Sequence, residues 1–438
     1  MNNKRNQIFA WCLYDWANSA FVLTAVTAFF PFLFKSYYSG AHVGMAETTL
    51  RLGAGHTVAG LTIAVLSLAL GAVADFWVGK KRFLGFFVAV GALATASLFF
   101  VASGSWLLAL ILFIIGNIGF SCSNLFYDSL LLDVAEEKNM DFISSMGFAF
   151  GYAGGVLLFG FCLWMTASPQ LFGMSDTASA IRLSFICVAV WWALFSIPLL
   201  ILVKEKRQAA PPAAKFLACV VRAIYSIGAV WRTLKAIVKN PALILFLCAY
   251  WLYFDGVNTF IRMSVDFGTS IGFDFSALMT ALIVVQLVAF PSSLLFGFLA
   301  SKVGAGRMIM AGVVIYIFIT SFGALFMRTE AHFITLAYYI GLAQGGIQAL
   351  SRSYFGKLIP ANESNEYFAF YNVVSRFAVI GPIVIGLVAM AVRSMGAEET
   401  MASRIGMSSI NLFFISGLIL LMFAERARKR ALVGKVNG

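Results

Sequence analysis

Apolar runs of about twenty residues, long enough to cross a bilayer as helices, recur along the whole chain. Short polar or glycine-bearing breaks separate them. Twelve such helices are expected, at roughly 8–34, 54–74, 83–102, 107–130, 142–166, 181–203, 242–264, 277–300, 308–328, 332–355, 366–392 and 408–424. The runs are continuous rather than alternating, which excludes a transmembrane barrel. The pattern predicts an all-α integral membrane protein. The first run contains Asp15 and is too long for a cleavable leader, so it reads as a signal anchor.

Polar residues inside these runs carry the information. Trp11-Cys-Leu-Tyr14-Asp15-Trp-Ala-Asn18-Ser19 opens the first helix, and Trp251-Leu-Tyr-Phe-Asp255-Gly-Val-Asn258-Thr259 lies within the seventh. Ring, acid, amide and hydroxyl recur at the same offsets. On a helix, positions i−4, i, i+3 and i+4 share one face, so each copy builds one polar stripe. A carboxylate at mid-membrane costs about 2.5–3.5 kcal/mol on insertion scales. Two readings meet that cost: a solute or ion pathway, or a hydrogen-bond clamp between helices. A second repeat lays Asn124, Asp128 and Ser129 of helix four over Gln348, Arg352 and Ser353 of helix ten. Helix five is marked by Gly147, Gly151, Gly154 and Gly155, helix eleven by Arg376 and Gly381-Pro382. Two six-helix units in the same sense make a parallel repeat.

Composition and charge sharpen this picture. The chain is 61% hydrophobic and 11% charged, with a net charge of +12. That charge is sorted by side. Lys4, Arg5, Lys80, Lys81, Arg82, Lys302, Arg307, Lys357 and the tail after 425 all fall on one face of the twelve-helix arrangement. The stretch 204–240 adds eight more basic residues on that face. By the positive-inside rule this face is cytoplasmic, with both termini there. The positive charge is therefore a topology signal, and no nucleic-acid partner is expected. The domain division follows: 1–203 and 241–424 as six-helix bundles, 204–240 as a basic linker, and 425–438 as a basic tail. Within the linker, about 214–239 reads as an amphipathic helix on the membrane surface or as a plain basic tether. The six cysteines show no metal spacing, and the three histidines lie in loops or at helix ends. No metal or cofactor is expected, and any proton relay would fall to carboxylates. No nucleotide-binding motif is present.

The hairpin after helix two reads Gly71-Ala-Val-Ala-Asp75-Phe-Trp-Val-Gly79-Lys80-Lys81-Arg82, and that after helix eight Gly297-Phe-Leu-Ala-Ser301-Lys-Val-Gly304-Ala-Gly306-Arg307. These resemble the loop motif of the major facilitator superfamily. The first copy has one residue too many before Gly79 and Phe76 in place of a basic residue; the second has Ser301 in place of the acid. The finer resemblance is to the vacuole effluxer-like branch, relatives of a fungal vacuolar amino-acid exporter. It rests on residues 14–21, Asp255-Gly256-Val257, the string 345–353 (Gly-Gly-Ile-Gln-Ala-Leu-Ser-Arg-Ser) and Gly381-Pro382, spread over both halves.

The resemblance implies two pseudo-symmetric six-helix bundles working as a monomer. It implies that helices one, four, seven and ten line a cavity, and that Gly71, Asp75, Gly79, Lys80 and Arg82 form a cytoplasmic gate. The pathway candidates are then Trp11, Tyr14, Asp15, Asn18, Asp128, Trp251, Asp255, Asn258, Gln348, Arg352 and Arg376. Asp15 or Asp255 could hold an ammonium, and Arg352 or Arg376 a carboxylate. The same acids could carry a coupling proton. Internal pairing, Asp128 with Arg352 and Asp15 with Arg376, is the alternative. Asp133, Glu136, Glu137 and Asp141 are read as solvated or paired with hairpin basics. The expected function is secondary transport of a small polar organic solute, with an amino acid among the candidates and efflux across the inner membrane as the direction. Export of drug-like or lipid-like amphiphiles in the same fold is the alternative. A lipid-modifying membrane enzyme would need a nucleophile–base pair or a metal cluster, and the sequence offers neither.

Overall fold

The computed structural model describes residues 2–40, 45–76, 79–205, 228, 230–270, 275–376 and 380–436. Among them, twelve helical spans are long and apolar enough to cross a membrane. They are α1 (Lys4–Tyr38), α2 (Leu50–Gly71), α3 (Lys80–Phe100), α4 (Trp106–Val134), α5 (Glu137–Ala167), α6 (Thr177–Leu202), α7 (Pro241–Ile261), α8 (Thr280–Val303), α9 (Ala305–Phe326), α10 (Glu330–Gly356), α11 (Ala361–Ser394) and α12 (Arg404–Ala431). The protein is a multi-pass integral membrane protein, and no strand occurs among the described residues. The last helix runs on to Val436, well past its expected end, because the tail consists of good helix formers that need no lipid. Of the linker, residues 230–239 are helical, and most of the remaining amphipathic stretch lies outside the described residues.

α1 changes character along its length. It is α-helical to Ala20, π-helical over Phe21–Phe29, and π-helical again over Phe34–Tyr38. The wide turns begin just after the Asp15–Ser19 stripe, with Pro31, which has no N–H to donate, between them.

The chain divides into two compact units that exchange short segments. Unit 1 comprises Met1–Glu136, Phe150–Ile227 and Asn362–Ala369; unit 2 comprises Glu137–Ala149, Gly228–Ala361 and Phe370–Gly438. The head of α5 thus belongs to unit 2, while the head of α11 belongs to unit 1.

In lipid no hydrophobic force drives helix against helix, so close approach of small residues has to supply contact. In unit 1 a Cβ on Gly119 of α4 would lie 2.6 Å from the Gly91 Cα of α3. A Cβ on Gly91 would lie 2.4 Å from the Trp192 ring of α6. Trp192 in turn stacks on Phe21, and Trp16 stacks on Trp191. In unit 2 a Cβ on Gly346 of α10 would fall 2.1 Å from the Phe296 ring of α8. Large apolar side chains such as Val65, Leu93, Phe100 and Ile201 point outward, as lipid-facing surfaces require.

Two arginines repeat a capping role. Arg182 of α6 donates to the Phe99 carbonyl at the end of α3, and Arg404 of α12 donates to Ala324 and Met327 at the end of α9. Cations there meet otherwise unpaired carbonyls and the negative end of the helix dipole.

Replacing Gly119 by Val should lower the thermal midpoint of the detergent-purified protein by several degrees, because the obstacle is backbone rather than a movable side chain. Gly160→Val, at a position with open space around it, should leave the midpoint unchanged. A melt followed by size-exclusion fluorescence measures both.

Candidate functional site

In unit 1 the polar stripe of α1 faces α4. Trp11 donates its indole N–H to the Tyr127 carbonyl at 3.1 Å and stacks on the Tyr127 ring. Tyr127 donates its hydroxyl to Asp15 Oδ2 at 2.6 Å. Asn18 Nδ2 donates to Asn124 Oδ1 at 2.9 Å. Three stripe positions therefore meet one helix, as their spacing predicts. Glycines let α5 close the other side. A Cβ on Gly151 would meet the Ser19 hydroxyl, and one on Gly154 the Trp16 carbonyl. Tyr14 leans on Tyr127 and is fully buried, as is Trp11. Asp128, one residue past Tyr127, is half-buried, and so is Asn124.

In unit 2 the equivalent stripe finds different partners. Asp255 accepts the backbone N–H of Ile380 at 3.0 Å and that of Gly381 at 3.2 Å, both on Oδ2. Thr259, one turn on, donates to Asp255 Oδ1 at 3.0 Å. The Asp255 carboxylate thus receives two consecutive backbone N–H groups of α11. Gly381 permits the approach, since a Cβ there would fall 2.1 Å from the Thr259 hydroxyl oxygen. Asp255 is only 1% exposed, against 7% for Asp15. Tyr253 shares a 2.7 Å hydrogen bond with Ser351 of α10. Trp251, Asn258 and Gln348 are half-buried.

Arg352 is buried in unit 2, and its described contacts are with the head of α5. Its Nε donates to Ser144 Oγ and its Nη2 to the Ser144 carbonyl, both at 2.9 Å. Its guanidinium lies 4.5 Å over the Phe148 ring. The next residue of α10, Ser353, donates to Asp141 Oδ1 at 2.8 Å, and just beyond the helix Lys357 pairs with Asp141 Oδ2 at 2.7 Å.

On the same basic side of unit 1, Lys80 pairs with Asp133 at 2.9 Å and donates to the Ser129 carbonyl and the Ser364 hydroxyl. Gly79 has φ +84°, the conformation that turns the chain into α3. A Cβ on Gly71 would meet Ala369 and the Asn365 carbonyl of the α11 head. Arg82 is exposed. Lys4 pairs with Glu136. Asp133, Glu136 and Asp141 are therefore partners of basic residues, while Glu137 is exposed. Two candidates, Asp75 and Arg376, have side chains outside the described residues.

Sequence reasoning missed Tyr127, Ser144 and the tie of Asp255 to Ile380 and Gly381. Tyr127 was visible one residue before Asp128, and the signal lost was its register against Trp11 and Asp15. Among the described residues no cluster of His, Cys, Asp or Glu could hold a metal ion.

This architecture is that of a membrane transporter of the major facilitator type. A solved proton:xylose symporter, XylE, superposes with a TM-score of 0.72 at 12% identity, covering 97% of this chain and 96% of its own. The human organic anion transporter MFSD10 superposes at 0.68 and 13%, covering 95% and 99%. At these identities the likeness is one of fold. Sequence narrows it. Residues 55–432 match the family model described as vacuole effluxer Atg22 like, and the chain belongs to that family. An uncharacterized MFS-type transporter of Bacillus subtilis, YxiO, is 38% identical over 417 residues, 94% of each chain. Autophagy-related protein 22 of Eremothecium gossypii is 21% identical, covering 87% of this chain and 85% of its own. The relatives with a stated class are transporters, and the chain is a transporter rather than an enzyme.

The two aspartates should respond differently to neutralisation. Asp15→Asn keeps an acceptor for the Tyr127 hydroxyl. Asp255→Asn turns an amide NH2 towards N–H or O–H donors on one of its two oxygens, at a cost of about 1–3 kcal/mol. Thermal melts of the two purified variants should place Asp255→Asn clearly below Asp15→Asn.

Proposed function

We propose that this protein is a secondary active transporter that exports a small polar organic solute bearing an ammonium group, amino acids included, by alternating access. It would work as a monomer in the inner membrane with both termini cytoplasmic. The carrying observation is the polar seam of α1 and α4, where Asn124 and Asp128 keep partial exposure beside the buried Asp15 and Asn18. Polar groups at this depth face an aqueous cavity in preference to lipid, because hydrocarbon cannot satisfy them. The half-buried Trp251, Asn258 and Gln348 of unit 2 are of the same kind.

Charge points to the cation-bearing class. Asp128 is a half-exposed acid, whereas Arg352 is buried against Ser144 and Phe148. An ammonium would be met by Asp128 and the amides of Asn124 and Asn18. We assign any coupling proton to Asp15, the buried carboxyl of the same seam. The description of the family model as a vacuole effluxer supports export as the direction.

The test is ligand-induced thermal stabilisation across amino acids, peptides, sugars and organic cations at two pH values. A ligand at a hundred times its Kd stabilises by about 2.7 kcal/mol. Amine-bearing solutes should raise the midpoint, and Asp128→Asn should abolish the shift while leaving the unliganded midpoint within about 0.5 kcal/mol of wild type. Solute flux in proteoliposomes that is indifferent to neutralising Asp15 and Asp128 would refute the assignment.

A further inference from the structure

The sequence allows two forms for the linker, an amphipathic helix on the membrane surface or a basic tether. Its described helix, residues 230–239, has the first form and offers a binding face besides. We infer that this helix binds the headgroups of acidic phospholipids on the basic side of the membrane. Arg232, Lys235 and Lys239 meet the phosphates, while Trp231 and Val238 enter the apolar boundary. This binding is independent of cargo.

The place of the helix follows from its end. Asn240 closes it by donating its N–H to the Ala236 and Ile237 carbonyls. The Asn240 side chain then accepts the N–H groups of Ala242 and Leu243, the first turn of α7. One residue thus ends the linker helix and caps the helix that enters the bilayer. Three pairs of a cation over a ring mark the same level of unit 2. Lys235 lies 5.4 Å from the Trp231 ring centre, Lys302 lies 4.3 Å from that of Phe298 at the end of α8, and the Arg426 guanidinium lies 5.8 Å from that of Phe423 towards the end of α12. All six side chains are exposed. A ring facing outward with a cation reaching past it suits the boundary of lipid and water. The last pair emerges beside α7. A Cβ on Gly256 would meet Phe414, and one on Gly417 would meet Ala249 and Tyr253, so α12 runs antiparallel to α7 and its tail leaves where α7 begins.

The free face of the linker helix is sorted by chemistry. At 3.6 residues per turn, Val238, Trp231, Lys235, Lys239 and Arg232 follow one another around an arc of about 120°. All five are exposed, whereas Thr233 and Ile237, on the opposite arc, are buried. The helix is held by one face, and the other runs from apolar to cationic. No acid stands between Glu205 and Asp255, while seven Lys or Arg do, so nothing nearby in the chain offsets the charge. A free phosphate would use only the cations. A lipid phosphate arrives with acyl chains attached, and it uses Trp231 and Val238 as well.

The measurement is quenching of Trp231 by brominated phospholipids, with the full chain reconstituted in phosphatidylcholine vesicles. The chain has nine tryptophans, so the Trp231 signal is the difference between wild type and Trp231→Phe. Brominated phosphatidylglycerol should quench this signal at a several-fold lower mole fraction than brominated phosphatidylcholine, and high salt should weaken the preference. The combined variant Arg232→Gln, Lys235→Gln, Lys239→Gln should lose the preference, and Lys235→Arg with Lys239→Arg should keep it. Lys235→Gln and Lys239→Gln alone should each lower it, and they serve if the combined variant does not fold. Equal quenching by the two lipids in wild type overturns the inference, as does a preference that survives all the neutral variants. Quenching by neither lipid also overturns it and leaves this face to a protein or another soluble partner. Exchanging chloride for inorganic phosphate at equal ionic strength should leave the preference intact. Its loss there would mark a site for free phosphate instead of lipid and overturn the assignment.

Discussion

Everything in this molecule answers to one constraint: a polar group carried into hydrocarbon has to bring or find its partner. The chain places Asp15, Asp255 and Arg352 within apolar spans and satisfies each by a different means. Asp15 takes a phenol from the neighbouring α4. Asp255 takes main-chain amides of α11. Arg352 takes a serine, through both its side chain and its carbonyl, and lays its face on a phenylalanine. The helices cannot shift far without exposing one of these groups, so the polar contacts fix register where apolar packing alone would allow sliding.

Small residues make such partnerships reachable. Gly151 and Gly154 bring α5 against the stripe of α1, Gly381 brings α11 against Thr259 and Asp255, and Gly297 brings α8 against Ser145. In each case the space a methyl group would need is already filled by the polar residue or its neighbour. The glycines and the acids are therefore two halves of one arrangement, and neither is explained by flexibility.

The spans, their number and the face of the first stripe were legible in the sequence because each depends on periodicity within a single helix. Trp11, Asp15 and Asn18 had to share a face, and they meet α4 together. What lay across the helix boundary was not legible. The repeat suggested that Asp255 would behave as Asp15 does, yet its described partners are backbone amides, which leave no mark in sequence. Arg352 looked like a cargo group because an arginine in a membrane helix asks for an anion. Its described partners are instead a serine and a ring, chosen by how α10 and the head of α5 run past one another. The exchange of helix heads between units is likewise a property of packing. Its trace, Phe148-Ala-Phe150 after Ser144 and Phe368-Ala-Phe370 after Ser364, does not name the partners of either serine.

Duplication gives two halves that begin alike, and transport needs them to act unlike. The stripe of α1 keeps a phenol on its acid and half-exposed polar neighbours on α4. The stripe of α7 commits its acid to the backbone N–H groups of Ile380 and Gly381. Likewise α4 kept acids where α10 carries bases. On α4, Asp128 is half-exposed and Asp133 pairs with Lys80, whereas Arg352 of α10 is buried against Ser144 and Phe148. Under the function proposed above, this asymmetry would leave recognition to the first half and bracing to the second.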